Sequence, residues 1–140
     1  MVYAAAFVLG AFAQSLKAIA WPAVSITRWS GILLFLSGVG ITMASLRVLR
    51  QHHTPVDPSR PVNFLVTTGP YRWSRNPLYV AQTLLYLGAA LYWHLTWSLL
   101  LIIPTLLIVH YKIIRAEERY LLHKFPQTFS QYQQTVRRWL

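Results

Sequence analysis

The stretch NPLYVAQTLLYLGAALYWHLTWSLLLIIPTLLIVHY, residues 76–111, runs for 36 residues without a formal charge. As a single α-helix it would measure about 54 Å at 1.5 Å per residue, far longer than a bilayer hydrocarbon core of about 30 Å. Both flanks are basic, with Arg72 and Arg75 before it and Lys112 and Arg115 after it. Basic flanks favour the cytoplasmic side of a membrane, so the chain must cross an even number of times. The stretch is therefore predicted to be a helical hairpin, residues 78–92 and 96–111, that turns at Trp93, His94 and Leu95. Trp93 and Trp97 would then lie in the aromatic belt on the far side. Pro104 falls inside the second arm, where it removes a backbone hydrogen bond and is expected to kink the helix.

Upstream, residues 29–46 form a second uncharged run of 18 residues, bounded by Arg28 and Arg47. A spanning helix over residues 29–49 is predicted, with Gly40 and Ala44 as a small-xxx-small pair that would let a neighbouring helix approach. Residues 2–21 make a first span, in which Lys17 must snorkel to an interface. A signal peptide is the rival reading, and the lack of a basic region before the apolar run speaks against it. Four spans put eleven Lys and Arg on the side of the 51–77 loop and the C-terminal segment, and only Lys17 and Arg28 on the other. Both termini are thus predicted to be cytoplasmic.

The composition agrees. The chain has 140 residues, 55% hydrophobic and 11% charged, against about 45–50% and about 25% in soluble domains. The expected fold is all-α, a multi-pass membrane protein forming one domain over residues 1–140, with a cytoplasmic loop and an amphipathic C-terminal helix. The net charge of +10 is explained by a basic surface facing anionic lipid, without a nucleic-acid partner. Four short spans bury little surface, which is compatible with a homodimer. Cysteine is absent, which excludes disulfides, thiolate metal sites and cysteine nucleophiles. The five histidines include no HxxxH pair, so no metal site is expected.

Between the spans, residues 51–77 carry Pro55, Pro58, Pro61, Pro70 and Pro77 and are expected to be largely non-helical. Asn76-Pro77 is suited to opening a helix, with Asn at the N-cap and Pro in the first turn. The free N–H groups there, with Tyr71, Arg72, Trp73, Arg75 and Tyr79 around them, fit either a recess for a flat charged ligand or an interfacial girdle. In the tail, Leu121, Phe125, Phe129, Tyr132, Val136 and Trp139 recur at helical spacing, interrupted near Pro126. That helix should lie on the membrane surface or pack against the loop.

Only three acidic residues exist: Asp57, Glu117 and Glu118. The two glutamates are adjacent and about 100° apart on a helix, so they cannot face one target. Glu118 is positioned to pair with Arg115, while Glu117 has Ile113, Ile114, Tyr120 and Leu121 on its face and is expected to point inward. A solvated charge cluster with Lys112 and Arg119 is the alternative.

Taken together, Leu65-Val66, Gly69, Tyr71, Arg75-Asn76-Pro77, Tyr79, Glu117-Glu118, Leu121, Phe125, Phe129 and Tyr132 resemble the isoprenylcysteine carboxyl methyltransferase family of small membrane enzymes and its bacterial relatives. The resemblance covers about residues 63–139, including a hairpin of matching length between the two motifs. It implies an enzyme that binds S-adenosylmethionine on the cytoplasmic side and methylates a lipophilic or prenylcysteine-like acceptor, a carboxylate first of all, that enters from the bilayer. By position it assigns Asn63, Phe64, Leu65, Val66, Tyr71, Arg75, Asn76, Pro77, Leu78, Tyr79 and Glu117 to the cofactor. Three positions depart from the pattern: Asn76 stands for the usual His, Pro126 for Gly, and Ile113 for the family's substrate-binding Arg. Lys112 or Arg115 is expected to supply the substrate-binding charge instead, and Glu117 and Arg115 are the candidate catalytic residues. The alternatives are an NADPH-dependent membrane reductase of the sterol-reductase type, and a non-catalytic protein that grips lipid or a partner through its basic tail.

Overall fold

The computed structural model describes residues 1–19, 25–52 and 64–140. Every named element is helical: α1 (Val2–Leu16), α2 (Ser25–Gln51), a 3-10 turn (Gly69–Arg72), α3 (Pro77–Tyr92), α4 (Thr96–Ile108), a π-helical turn (Val109–Ile114), α5 (Arg115–Lys124) and α6 (Pro126–Thr135). Among the described residues the only strand-like pairing is an isolated parallel bridge between Ser74 and Arg137.

The charge-free stretch is a hairpin, as its length requires. α3 ends at Tyr92 and α4 begins at Thr96, and the reversal is made by His94, which takes a left-handed φ of 54°. For a residue with a side chain that conformation costs about 1–2 kcal/mol. A 3.1 Å contact between the His94 ring and the Thr27 hydroxyl helps to hold it.

Two differences from the sequence expectation concern helix length. The second arm does not stop at residue 111. α4, the π turn and α5 form one helix, Thr96–Lys124, of 29 residues, because nothing between Pro104 and Lys124 breaks the backbone ladder. Together with α2 of 27 residues it is one of two helices among the described residues that are long and apolar enough to cross a membrane. α1 and α3, of 15 and 16 residues, are shorter than the about 17–25 residues a span needs. α1 stops at Leu16 rather than near residue 21, and residues 20–24 lie outside the described part.

The most extensive packing is between α2 and α3. Gly31 and Gly38, with Ser45 a further heptad on, are buried on α2 and make this closeness attainable. A Cβ at Gly88 of α3 would lie 2.6 Å from the Phe35 backbone nitrogen and 2.7 Å from the Gly31 carbonyl oxygen. Gly40, the expected contact residue, has nothing within 4 Å of its Cβ position. The seven-residue repeat of small residues, not the Gly40–Ala44 pair, marks the seam.

α1 lies along α4, with Gly10 against Ser98, whose Oγ donates to the Phe7 carbonyl at 3.3 Å. Tyr86 donates to the Ser98 carbonyl at 2.7 Å and meets Phe7 edge to face. α1, α3 and the long helix thus enclose an apolar core of Tyr3, Tyr86, Ile102, Val109 and Ile114.

Candidate functional site

Where the loop reaches α3, Gly69 takes a left-handed φ of 61° that glycine accepts without a Cβ penalty. This starts the 3-10 turn that carries Tyr71. Asn76 then caps α3 and Pro77 occupies the first turn. The Asn76 side chain does not cap its own helix; its Nδ2 donates to the Arg138 carbonyl at 2.9 Å.

The C-terminal segment binds the end of this loop, from Tyr71 to Asn76. The Arg75 backbone N–H donates to the Arg137 carbonyl at 2.9 Å, and the Tyr132 hydroxyl donates to the Tyr71 carbonyl at 2.5 Å. Phe129 and Tyr132 of α6 are buried beneath it. Trp139 donates its indole N–H to His110 Nδ1 at 3.1 Å, which fastens the end of the segment to the π turn.

Loop, α3, α5 and α6 surround a cavity of about 450 Å³, within the about 300–1,000 Å³ of small-molecule sites. Phe64, Leu65, Val66, Tyr71, Arg75, Asn76, Pro77, Leu78, Tyr79 and Glu117 all line it. The family resemblance assigned each of these, by position, to the cofactor. Asn63 lies outside the described residues. The cavity wall is completed by Tyr3 of α1, Leu49 of α2, Gln82 of α3, Val109 and Ile113 of the π turn, and Phe129 and Tyr132 of α6.

Glu117 does point inward. Its Oε1 accepts a hydrogen bond from the Tyr79 hydroxyl at 2.8 Å. Burial raises its carboxyl above the usual range, and the Tyr79 hydrogen bond offsets part of that rise. Burial likewise raises the phenols of Tyr71 and Tyr132, against the opposing pull of Arg75 in the second case. Both phenols therefore remain neutral donors throughout the ordinary pH range.

Glu118 does not pair with Arg115. It is held by Arg138, whose Nε lies 3.0 and 3.1 Å from the two carboxylate oxygens and whose Nη2 lies 2.7 Å from Oε2. Arg75 Nη1 approaches the same carboxylate at 3.3 Å. Arg115 instead lies over the Tyr111 ring at 4.6 Å, because long side chains on a helix lean toward its N-terminus. Arg115 and Lys112 are both exposed and neither lines the cavity, whereas Ile113 does. The side that faces Glu117 is thus the apolar row Val109–Ile113–Glu117–Leu121, and the two cations chosen from the sequence lie off it.

Several contributors were not singled out from the sequence, among them Tyr3, Leu49 and Arg138. Tyr3 and Leu49 carry no chemical signal that separates them from other apolar-helix residues. Arg138 sits in a run of tail cations, and its partner 20 positions away cannot be read from spacing.

A model of one family, described as phospholipid methyltransferase, matches residues 26–128. The chain belongs to the phospholipid methyltransferase family. The match spans α2 to the start of α6, so it includes the loop, the hairpin and both glutamates but not α1 or the Arg138 segment. It agrees with the resemblance read from the two motifs. The cobalt-zinc-cadmium resistance protein CzcN of Cupriavidus metallidurans is 32% identical over 111 residues, 76% of this chain and 50% of that protein. The chain therefore spans about half the length of this relative. No solved structure matches. Among the described residues no three His, Asp or Glu side chains converge as metal ligands would.

Proposed function

We propose that this phospholipid methyltransferase family member is an S-adenosylmethionine-dependent enzyme that methylates a lipophilic acceptor, with a carboxylate as the leading acceptor group. One observation carries the reading: a single cavity is lined both by the loop residues Phe64–Tyr79 and by Glu117, two motifs that are some forty positions apart. The chemistry of the lining fits the donor. Phe64, Leu65, Val66 and Leu121 offer apolar surface to a purine, and Glu117 offers a carboxylate to ribose hydroxyls. Tyr71 and Tyr132 offer neutral phenols.

The bound donor would supply a methyl group activated on a sulfonium. The protein's share is alignment, exclusion of water and placement of charge. An ionised carboxylate acceptor needs no general base, since its reference pKa is about 4. Val109 and Ile113, two turns and one turn before Glu117 on the same helix, add apolar lining, which suits an apolar tail better than a second charged group. Lys112 and Arg115, exposed beside that lining, would meet anionic headgroups at the interface.

In the membrane we place all four long elements as spans, α1 and α3 with local bilayer thinning. Their lengths of about 22 and 24 Å fall short of the core of about 30 Å by about 6–8 Å. The loop, the cavity and both termini then share the basic, cytoplasmic side.

Calorimetry on detergent-purified protein tests the reading. S-adenosylhomocysteine should bind, and Glu117→Ala or Tyr71→Ala should weaken it by about tenfold or more. No heat at millimolar ligand in folded protein would refute the assignment, and preferential binding of NADPH would move the chain to the reductase class. Burial raises the Glu117 carboxyl, so it ionises later than an ordinary carboxylate as pH increases. Affinity should therefore climb as pH rises through this elevated pKa and be lost on acidification, and Glu117→Gln should abolish that slope.

A further inference from the structure

The cluster beside Glu117 is unbalanced. Arg75, Arg138 and Glu118 carry two positive charges and one negative. Arg138 takes both oxygens of Glu118 through Nε and Nη2, all within 3.1 Å. Arg75 is left with an ion-pair contact at 3.3 Å and no hydrogen bond from its guanidinium; Nε and Nη1 are shielded from solvent and have no acceptor. Its side chain is only 10% exposed, and the residue lines the cavity. Donors of a buried cation left unmet are costly. The other described carboxylate, Glu117, is engaged by Tyr79 and does not serve it.

We infer that Arg75 forms a carboxylate subsite of the cavity, and that its occupant is the amino-acid carboxylate of the methyl donor. This rests on the proposed reading of the cavity as the donor site. Two features favour the donor's anion over the acceptor's. Arg75 stands on the loop side, next to Asn76 at the start of α3, where a 16-residue helix adds partial positive charge. The lining that Val109 and Ile113 contribute is apolar and carries no cation, so it suits a lipophilic acceptor rather than the donor's anion. The fork geometry of a guanidinium also matches a carboxylate with two parallel hydrogen bonds.

The test compares two ligands that differ only in this group, S-adenosylhomocysteine and its decarboxylated analogue, S-adenosyl-3-thiopropylamine. Each is titrated calorimetrically, without acceptor, into the wild type, Arg75→Gln and Arg75→Lys. The wild type should bind the decarboxylated ligand about tenfold or more weakly, as expected for a charge-assisted pair. Arg75→Gln should lose most of that discrimination by weakening S-adenosylhomocysteine alone, and Arg75→Lys should recover part of it. Equal affinity of the wild type for both ligands overturns the subsite, and this measurement stands even if the variants do not fold. Equal loss of both ligands in Arg75→Gln also overturns it, since a merely structural arginine would act on the nucleoside too. Failure of the wild type to bind either ligand refutes the donor site itself, which separates the two claims.

Discussion

Along one face of α3, Gly88 lets α2 in to backbone contact; along the other, Asn76 and Tyr79 stand off from α5 and the tail around a hollow of about 450 Å³. The first interface uses small residues, which let two backbones approach closely enough for dispersion to hold them. The second uses directed polar contacts: Tyr79 to Glu117, Asn76 to the Arg138 carbonyl, Arg138 to Glu118. Polar contacts act over defined lengths and can hold walls apart, whereas small-residue packing can only close a gap. A helix that must be both a fixed strut and the wall of a cavity therefore divides the two tasks between its faces.

The comparison breaks most severely at the seam. Gly88→Val places side-chain atoms against two backbones, which cannot yield as a flexible side chain would. A loss of about 3 kcal/mol is expected, read as a fall in thermal midpoint in detergent, and retention of the wild-type midpoint would show that the seam is not close-packed. On the cavity side, Glu118→Gln leaves Arg75 and Arg138 without their counter-charge. The expected cost is about 2 kcal/mol, below the about 3–5 kcal/mol of fully buried pairs, because Arg138 keeps 32% of its side chain exposed. Unlike the seam variant, it should also weaken S-adenosylhomocysteine binding in the protein that remains folded; unchanged binding would detach the cluster from the site. The smallest effect sharpens the contrast within α2. Gly40→Ala meets open space and should stabilise by about 0.5–1 kcal/mol through helix propensity, so a destabilised Gly40→Ala would mean that this side of α2 has a neighbour after all.

Legibility in the sequence followed the range of the interactions. The hairpin at residues 76–111 was readable because its length and flanking charges are local quantities. The inward aim of Glu117 was readable because its helical neighbours are apolar. The partner of Glu118 was not, since spacing favours Arg115 three residues away, while the fold brings Arg138 and Arg75 from two other segments. Lys112 and Arg115 were chosen for their charge, but only the observed turn of the helix reveals that Ile113, and not they, faces the hollow. The extent of the long helix was missed for a related reason: charges at residues 112–124 mark the end of apolar character, not the end of the hydrogen-bond ladder.

The sequence by itself determined a helical membrane chain and its hairpin, because apolar run length, period and charge asymmetry are properties of neighbouring residues, and it offered the two motifs through their resemblance to a family. Only the tertiary structure decided that these motifs line one cavity, which two arginines share Glu118, and which of them keeps buried donors without a hydrogen bond. Those outcomes depend on side chains meeting across dozens of positions, where packing chooses among partners that spacing alone leaves equivalent.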